Sequence, residues 1–114
     1  MIESYFVCRN LRALQLDAPL LLEREEYLSH LVKLGRAKHA IRRTASILLR
    51  AVILLKMEKP RRISHAEIVQ ASIAEEWNEG AFKIRKLGKL ASENFIRATT
   101  GWLRFHSCPR RHFR

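Results

Sequence analysis

The residues best suited to chemistry are cations in two clusters, and the first lies in GRAKHAIRRTA, residues 35–45. Projected onto a helix at 100° per residue, four polar side chains fall within about 60° of one another. They are His39, Arg43, Ser46 and Arg50, with Lys38 and Arg42 flanking the first turn. Cations bind DNA phosphates and arginine pairs with guanine edges, so this stripe predicts a helix laid against duplex DNA. The alternative is a solvated polar face.

The second cluster follows residue 80 and is almost free of acids. Its basic members are Lys83, Arg85, Lys86, Lys89 and Arg97. Glu93 is the only acid between residues 80 and 114. Solvated helices usually interleave charges of both signs, so this stretch favours a nucleic-acid partner. The aromatic side chains have core spacing, which predicts packing rather than base stacking.

The net charge of the chain favours the same partner. The 114 residues contain 22 Lys and Arg against 11 Asp and Glu, a formal charge of +11. Residues 1–79 carry 13 bases and 10 acids, whereas residues 80–114 carry 9 bases and 1 acid. The resulting field steers polyanions toward the last third of the chain, with nucleic acid ahead of an anionic membrane surface.

Signatures of catalysis, metal binding and membrane insertion are missing from the sequence. Because it has no glycine-rich phosphate loop and no Ser-His-Asp pattern, we expect no enzyme activity and no cofactor. His106, Cys108 and His112 fit no zinc spacing, so we expect no metal. The cysteines form no C-x-x-C pair, which predicts a reducing, cytoplasmic location. The longest apolar run, ILLRAVILL, is too short to span a membrane.

Two helices must position the first cluster. Asp17, two residues before Pro19, is expected to open the first of them, and Gly35 to end it. In the next helix the apolar positions Ile41 to Leu55 recur at helical spacing, which predicts one buried face. Pro60 ends this helix.

Two further helices are expected to complete the unit. Ser64-x-x-Glu67 is a capping box that starts the third helix, and Ile68, Ala71, Ile73 and Trp77 continue it to Gly80. Residues 81–88 form a basic connector with room for a helical turn. The stripe from Ala91 to Phe105, which includes Phe95 and Trp102, predicts the fourth helix.

The sequence therefore predicts an all-α protein, since no segment alternates with period two for long enough to form a sheet. We divide the chain into an N-terminal segment at 1–16, a helical DNA-binding domain at 17–106 and a basic tail at 107–114. The tail, SCPRRHFR, has no periodicity, which predicts disorder.

Residues 21–55, LLEREEYLSHLVKLGRAKHAIRRTASILLRAVILL, resemble the opening of the core-binding domain of tyrosine recombinases, the phage-integrase family. In that family an acidic helix ends in leucine and glycine, and a T-(I/L)-R-R pattern then enters the second helix. Leu31 to Gly35 match the first part, and Lys38, His39, Ile41, Arg42 and Arg43 match the second. ISHAEIVQASI and ATTGWLRFHS resemble the third helix and the end of the fourth, so the likeness covers about residues 17–107.

This resemblance implies a four-helix, SAM-like orthogonal bundle that forms one half of a clamp around double-stranded DNA. The family's chemistry belongs to a separate domain with an arginine-rich site and a tyrosine nucleophile. Neither Tyr5 nor Tyr27 lies where that nucleophile should, and CPRRHFR replaces the usual linker. The resemblance thus implies DNA binding without catalysis, by a truncated or frameshifted integrase. Self-association or association with a full-length recombinase follows from it.

Two other classes of protein fit the same composition. A helical protein-interaction module would dock a partner on an apolar helix face and bind DNA only nonspecifically. A membrane-surface peptide would carry a basic amphipathic helix that folds only with lipid. We expect no membrane partner, because the apolar positions instead predict a packed core.

Overall fold

The fold is built from helices and one short β-hairpin. The computed structural model describes residues 2–6, 8–59, 61–73, 77–79, 82–84 and 87–107. In chain order the elements are a 3-10 helix at Ile2–Tyr5, α1 at Arg9–Asp17, α2 at Leu21–Lys33, α3 at Lys38–Leu54, α4 at His65–Ser72, β1 at Trp77–Glu79, β2 at Phe82–Ile84 and α5 at Lys89–Ser107. The predicted helical fold class is confirmed, and the hairpin is added to it.

Helix α3 lies at the centre of the packing. Its predicted apolar face is confirmed, because Ile41, Ala45, Leu48 and Val52 are all buried. Helices α2 and α5 and the 3-10 helix pack against α3. The buried face therefore holds α3 in a fixed rotation about its axis, which decides where its polar residues point.

The 3-10 helix and α1, which overlap the predicted N-terminal segment at 1–16, are packed onto the same core. Ile2 and Phe6 are buried there. The buried Gln15 side chain of α1 donates from Nε2 to the carbonyl of Ala45 in α3, at 3.1 Å. This bond ties α1 to the middle of α3.

A buried arginine fixes the connection between α1 and α2. Arg24 donates from Nη1 to the Gln15 side chain at 2.7 Å and from Nη2 to the carbonyls of Gln15 and Ala18 at 2.9 and 3.0 Å. Its Nε donates to the Pro19 carbonyl at 3.0 Å. These carbonyls at the end of α1 are satisfied by a single guanidinium. Burial lowers the pKa of Arg24 to about 10, so the group is still charged at neutral pH.

The predicted start of the first helix is wrong in one respect. Asp17 is the last residue of α1 and does not open α2. The residue before α2 is Leu20, which adopts a left-handed conformation with φ 61° and makes no side-chain cap hydrogen bond. The Arg24 bonds to the connection hold this unusual backbone in place of an ordinary N-cap.

The capping box that starts α4 is confirmed. The Ser64 hydroxyl accepts from the Glu67 backbone N–H at 3.2 Å, and the Glu67 carboxylate accepts from the Ser64 N–H at 3.1 Å. The predicted extension of this helix to Gly80 is wrong, because α4 ends at Ser72. At that end the Ser72 hydroxyl donates to the Val69 carbonyl, and the Ser92 hydroxyl of α5 donates to the Ser72 carbonyl.

Trp77 lies in a strand, not in a helix as predicted. The antiparallel pairing of β1 with β2 places Trp77 opposite Ile84 and Asn78 opposite Lys83. Part of the segment expected to be a basic connector is therefore extended. The tail predicted to be disordered lies, from residue 108 onward, outside the described residues.

Two further observations concern membrane-spanning helices and metal-binding clusters. Within the described ranges, no helix combines the length and the apolar character that crossing a bilayer requires. In the same part of the chain, no group of three or more His, Cys, Asp or Glu side chains is placed to hold a metal ion. Cys8 is an exposed free thiol.

Candidate nucleic-acid interface

A groove between α2, α3 and α5 brings together cations from both predicted clusters. Its volume is about 400 Å³. Arg43 of α3 and Arg97 of α5 line it, together with Arg36 from the turn between α2 and α3. Other lining residues are Tyr27, Thr44, Ile47, Asn94 and Gly101. We call this the arginine groove, and it joins positions that are far apart in sequence.

The turn after α2 places Arg36 at the groove. Gly35 has φ 84°, and its N–H donates to the Val32 carbonyl at 3.0 Å. The Arg36 N–H donates to the Leu31 carbonyl at 3.1 Å. These two bonds form a Schellman motif, which ends a helix with a left-handed residue, usually glycine. The prediction that Gly35 ends the helix is confirmed, and the same motif fixes the backbone of Arg36.

The buried face of α3 decides which of its side chains reach the groove. Ile41 and Leu48 are anchored in the core. Arg43 is exposed, while Thr44 and Ile47 are half-buried, and all three line the groove. On the other side Asn94 and Arg97 lie one turn apart on α5. Helices α3 and α5 therefore form two of its walls, with Arg36 at the turn.

The groove is strongly electropositive. Among the described residues that line it, none is acidic. Arg36, Arg43 and Arg97 are exposed, and none of them forms an ion pair with another described residue. Like-charged guanidiniums at one groove repel one another, and an anion between them removes that repulsion. Guanidinium groups also bind phosphate oxygens in bidentate geometry.

The first turns of α3 carry further exposed cations that lie outside the groove lining. The cations Lys38 and Arg42 are exposed, as is the neighbouring His39, and no acid lies in the first turn. Cations are unfavourable at the positive end of a helix dipole, so these residues do not stabilise α3. Arg42 is partly anchored, since its guanidinium carbon lies 5.8 Å from the centroid of the Phe6 ring. An anion at this end of α3 would relieve the unfavourable charge.

A second depression continues along the outer face of α3. It measures about 310 Å³ and shares Arg43 and Ile47 with the arginine groove. Ser46 and Arg50 also line it, with Leu11 of α1 on another side. Three of the four residues in the polar stripe predicted from sequence therefore line this depression and do not form a flat, exposed surface. Arg50 is half-buried, and that burial lowers the pKa of its guanidinium.

The second predicted cluster is only partly brought to this surface. Arg97 lines the arginine groove. Lys89 is exposed at the first residue of α5 but does not line it. Lys83 lies in β2, opposite Asn78. Arg85 and Lys86 lie outside the described residues.

Four polar groove residues were not assigned to the interface from the sequence: Arg36, Tyr27, Thr44 and Asn94. For Arg36 a signal existed, because it directly follows the glycine that ends α2. Tyr27 lies on the periodic apolar face of α2, a position typical of core or boundary residues, and it is half-buried. Thr44 and Asn94 carry no local signal, since only the packing of α3 against α5 brings them together.

Comparison with models of protein families, with curated proteins and with solved structures finds no match for this chain. The resemblance of residues 17–107 to the phage-integrase family therefore stays a prediction. The features of this chain that point to a function are the geometry and charge of the arginine groove and of the adjoining face of α3.

Proposed function

We propose that this protein is a non-catalytic binding domain for double-stranded DNA. The observation that carries the proposal is the meeting of Arg36, Arg43 and Arg97, from three parts of the chain, at one groove that no acid lines among the described residues. Neutralising DNA phosphates with Lys and Arg releases condensed counterions, which supplies much of the binding free energy. The groove offers this chemistry at fixed positions.

The proposed contact surface follows α3 outward from the groove. We assign to it Lys38, His39, Arg42, Arg43, Arg50, Lys83, Arg85, Lys86, Lys89 and Arg97 from the sequence, and Arg36 from the structure. The arginines at the groove, with Arg50 beside it, would hold the backbone, and the exposed residues in the first turns of α3 would lie near the base edges. Phosphate contacts fix the position of a protein on DNA, while contacts to base edges specify sequence.

The resemblance to the integrase family supports a finer proposal. In this reading the helices form a SAM-like, four-helix unit that serves as one half of a DNA clamp in the cytoplasm. Its protein partner would be a second copy of the chain or a full-length recombinase carrying the catalytic domain. The chain itself would carry no chemistry.

Fluorescence anisotropy of a labelled duplex, titrated with the protein at several salt concentrations, tests the DNA proposal. We expect binding that weakens steeply with salt and that unlabelled duplex competes better than single strands do. A scrambled duplex in the competition separates sequence-specific from nonspecific binding. Weak binding that is indifferent to strand state would overturn the proposal in favour of a protein-interaction module with generic positive charge.

A further inference from the structure

A neutral donor stands among the cations of the arginine groove. Tyr27 of α2 lines the groove, and its hydroxyl lies beside Gly101 of α5. A Cβ atom added at Gly101 would lie 2.7 Å from the Tyr27 Oη and 3.7 Å from its Cζ. The first distance is closer than two such atoms can approach without a shift. Gly101 therefore leaves the space that this hydroxyl occupies.

The Tyr27 ring is held by its neighbours. Its centroid lies 5.4 Å from that of Phe105 and 6.3 Å from that of His30. The side chain is half-buried, and its hydroxyl makes no hydrogen bond to another described residue. Burial raises the pKa of Tyr27, and Arg36 opposes this shift. The phenol is therefore a protonated donor at neutral pH, with its oxygen at the groove.

The rest of the lining suits a sugar–phosphate backbone. Leu31, Ile47 and Ala98 give the groove apolar walls beside its three guanidiniums. Deoxyribose presents mostly C–H groups, whereas the phosphate presents only acceptor oxygens. A hydroxyl that donates is complementary to those oxygens.

We infer that the arginine groove receives one phosphodiester of the DNA backbone, that Tyr27 donates a hydrogen bond to it, and that Gly101 keeps the hydroxyl in position. This inference rests on the proposed function and adds a residue without charge to the contact set. A neutral donor contributes to affinity but displaces no counterion. It therefore leaves a different signature in salt titrations from that of the arginines.

The test is Tyr27→Phe, measured by anisotropy with the same labelled duplex across a salt series. We expect about tenfold weaker binding at every salt concentration, because a hydrogen bond to a charged acceptor is lost, with an unchanged salt slope. Arg97→Gln should instead reduce the magnitude of the slope by about 0.9. Tyr5→Phe, at the other tyrosine, is the matched control and should bind like wild type.

A double-mutant cycle tests the role of Gly101. Gly101→Ala alone should weaken duplex binding about as much as Tyr27→Phe, since the new methyl displaces the hydroxyl. In the Tyr27→Phe background the clash is gone, so Gly101→Ala should have no further effect on affinity. Circular dichroism of each variant controls for folding.

The outcomes separate this inference from the proposed function. If wild type binds duplex and Arg97→Gln weakens it, but Tyr27→Phe binds like wild type, then the inference alone is overturned. Equal losses from Gly101→Ala in both backgrounds would overturn the role of Gly101. If wild type shows no preference for duplex, the proposed function itself fails.

Discussion

A second cavity, of about 500 Å³, lies beyond the C-terminal end of α3 and is comparable in size to the arginine groove. We call it the far cavity. Arg61 and Arg62 line it, together with Met57 and Trp102. Both cavities therefore combine guanidiniums with apolar walls. From their arginines and apolar residues alone they would be equally good candidates for an anion site.

The two cavities differ in what their arginines already bind. In the far cavity Arg61 donates to the Glu67 carboxylate at 3.1 Å and to the Leu55 carbonyl at 2.7 Å. Glu23 lines the far cavity as well, and its backbone carbonyl lies 2.6 Å from His106 Nε2. No acid lines the arginine groove among the described residues. Its guanidiniums are thus available to a ligand.

Arginine has three uses in this molecule. Arg24 is buried and bound to backbone carbonyls, so it serves the fold. Arg61 is bound at a surface and closes one side of the far cavity. Arg43, like its groove neighbours, is exposed without an ion pair to a described residue. An arginine therefore indicates a binding surface when its guanidinium is not already bound within the protein, and its presence alone is not enough.

The largest expected effect is on stability, from the arginine that serves the fold. Arg24→Met should lower the free energy of unfolding by about 3 kcal/mol, because it leaves buried carbonyls without a donor. Denaturant unfolding followed by circular dichroism measures this change. Arg62→Met, at an exposed position, is the control and should change stability by less than about 0.5 kcal/mol. Similar losses of unfolding free energy in both variants would contradict the distinction between the structural Arg24 and the exposed Arg62.

The next effect is on DNA binding along the outer face of α3. Arg43→Gln with Arg50→Gln should weaken duplex binding and reduce the magnitude of the salt slope by about 2, because two phosphate contacts are lost. Anisotropy across a salt series measures the slope, and thermal unfolding checks the fold. The control variant, Lys56→Gln with Lys59→Gln, removes the same amount of positive charge at positions that follow α3. An unchanged slope in the α3 variant would exclude this face from the interface.

A smaller effect is expected at the capping box beside the far cavity. Ser64→Ala should cost about 1 kcal/mol of stability, because the Glu67 N–H at the start of α4 loses its acceptor. Duplex affinity should not change, since this helix start is separate from the arginine groove. Ser46→Ala on the exposed face of α3 is the stability control. A loss of affinity in Ser64→Ala would extend the interface to the far cavity.

The smallest effect is the pH dependence of the same capping box. A hydrogen bond from the Ser64 backbone, and then one from Arg61, hold the pKa of Glu67 below its ordinary value of 4.5. A carboxyl with a lowered folded pKa stabilises the protein fully above pH 4.5 and progressively less as pH falls through the folded value. The melting temperature of wild type should therefore exceed that of Glu67→Gln at pH 6. The gap should narrow toward pH 3, and a constant gap would contradict this assignment.

The sequence was sufficient to predict an element of the fold where its signal is local and complete. The apolar spacing of α3 predicted its buried face, and Ser64 with Glu67 predicted the start of α4. The hairpin could not be predicted in the same way. Strands of three residues are too short to show period-two alternation, and Trp77 falls four residues after Ile73, which imitates helical spacing.

The candidate site was predictable only as two separate clusters of charge. Arg43 was identified from the polar stripe and Arg97 from the scarcity of acids around it. Their meeting at one groove depends on the packing of α3 against α5, which no local pattern encodes. The hydrogen bonds from Arg24 to the Gln15 side chain and from Gln15 to the Ala45 carbonyl likewise join different helices and carry no local signal. A charged residue in an amphipathic helix ordinarily predicts exposure, and Arg24 is the exception.

The central claim is that position, not net charge, makes the groove a DNA site. Two triple variants with the same net charge test it by duplex anisotropy across a salt series: Arg36→Gln, Arg43→Gln and Arg97→Gln in the groove, against Lys56→Gln, Lys59→Gln and Arg62→Gln beyond α3. We predict that the groove variant loses about 2 to 3 from the magnitude of the salt slope, while the other variant keeps nearly all of it. Equal losses in the two variants would contradict the claim, because binding would then follow charge alone.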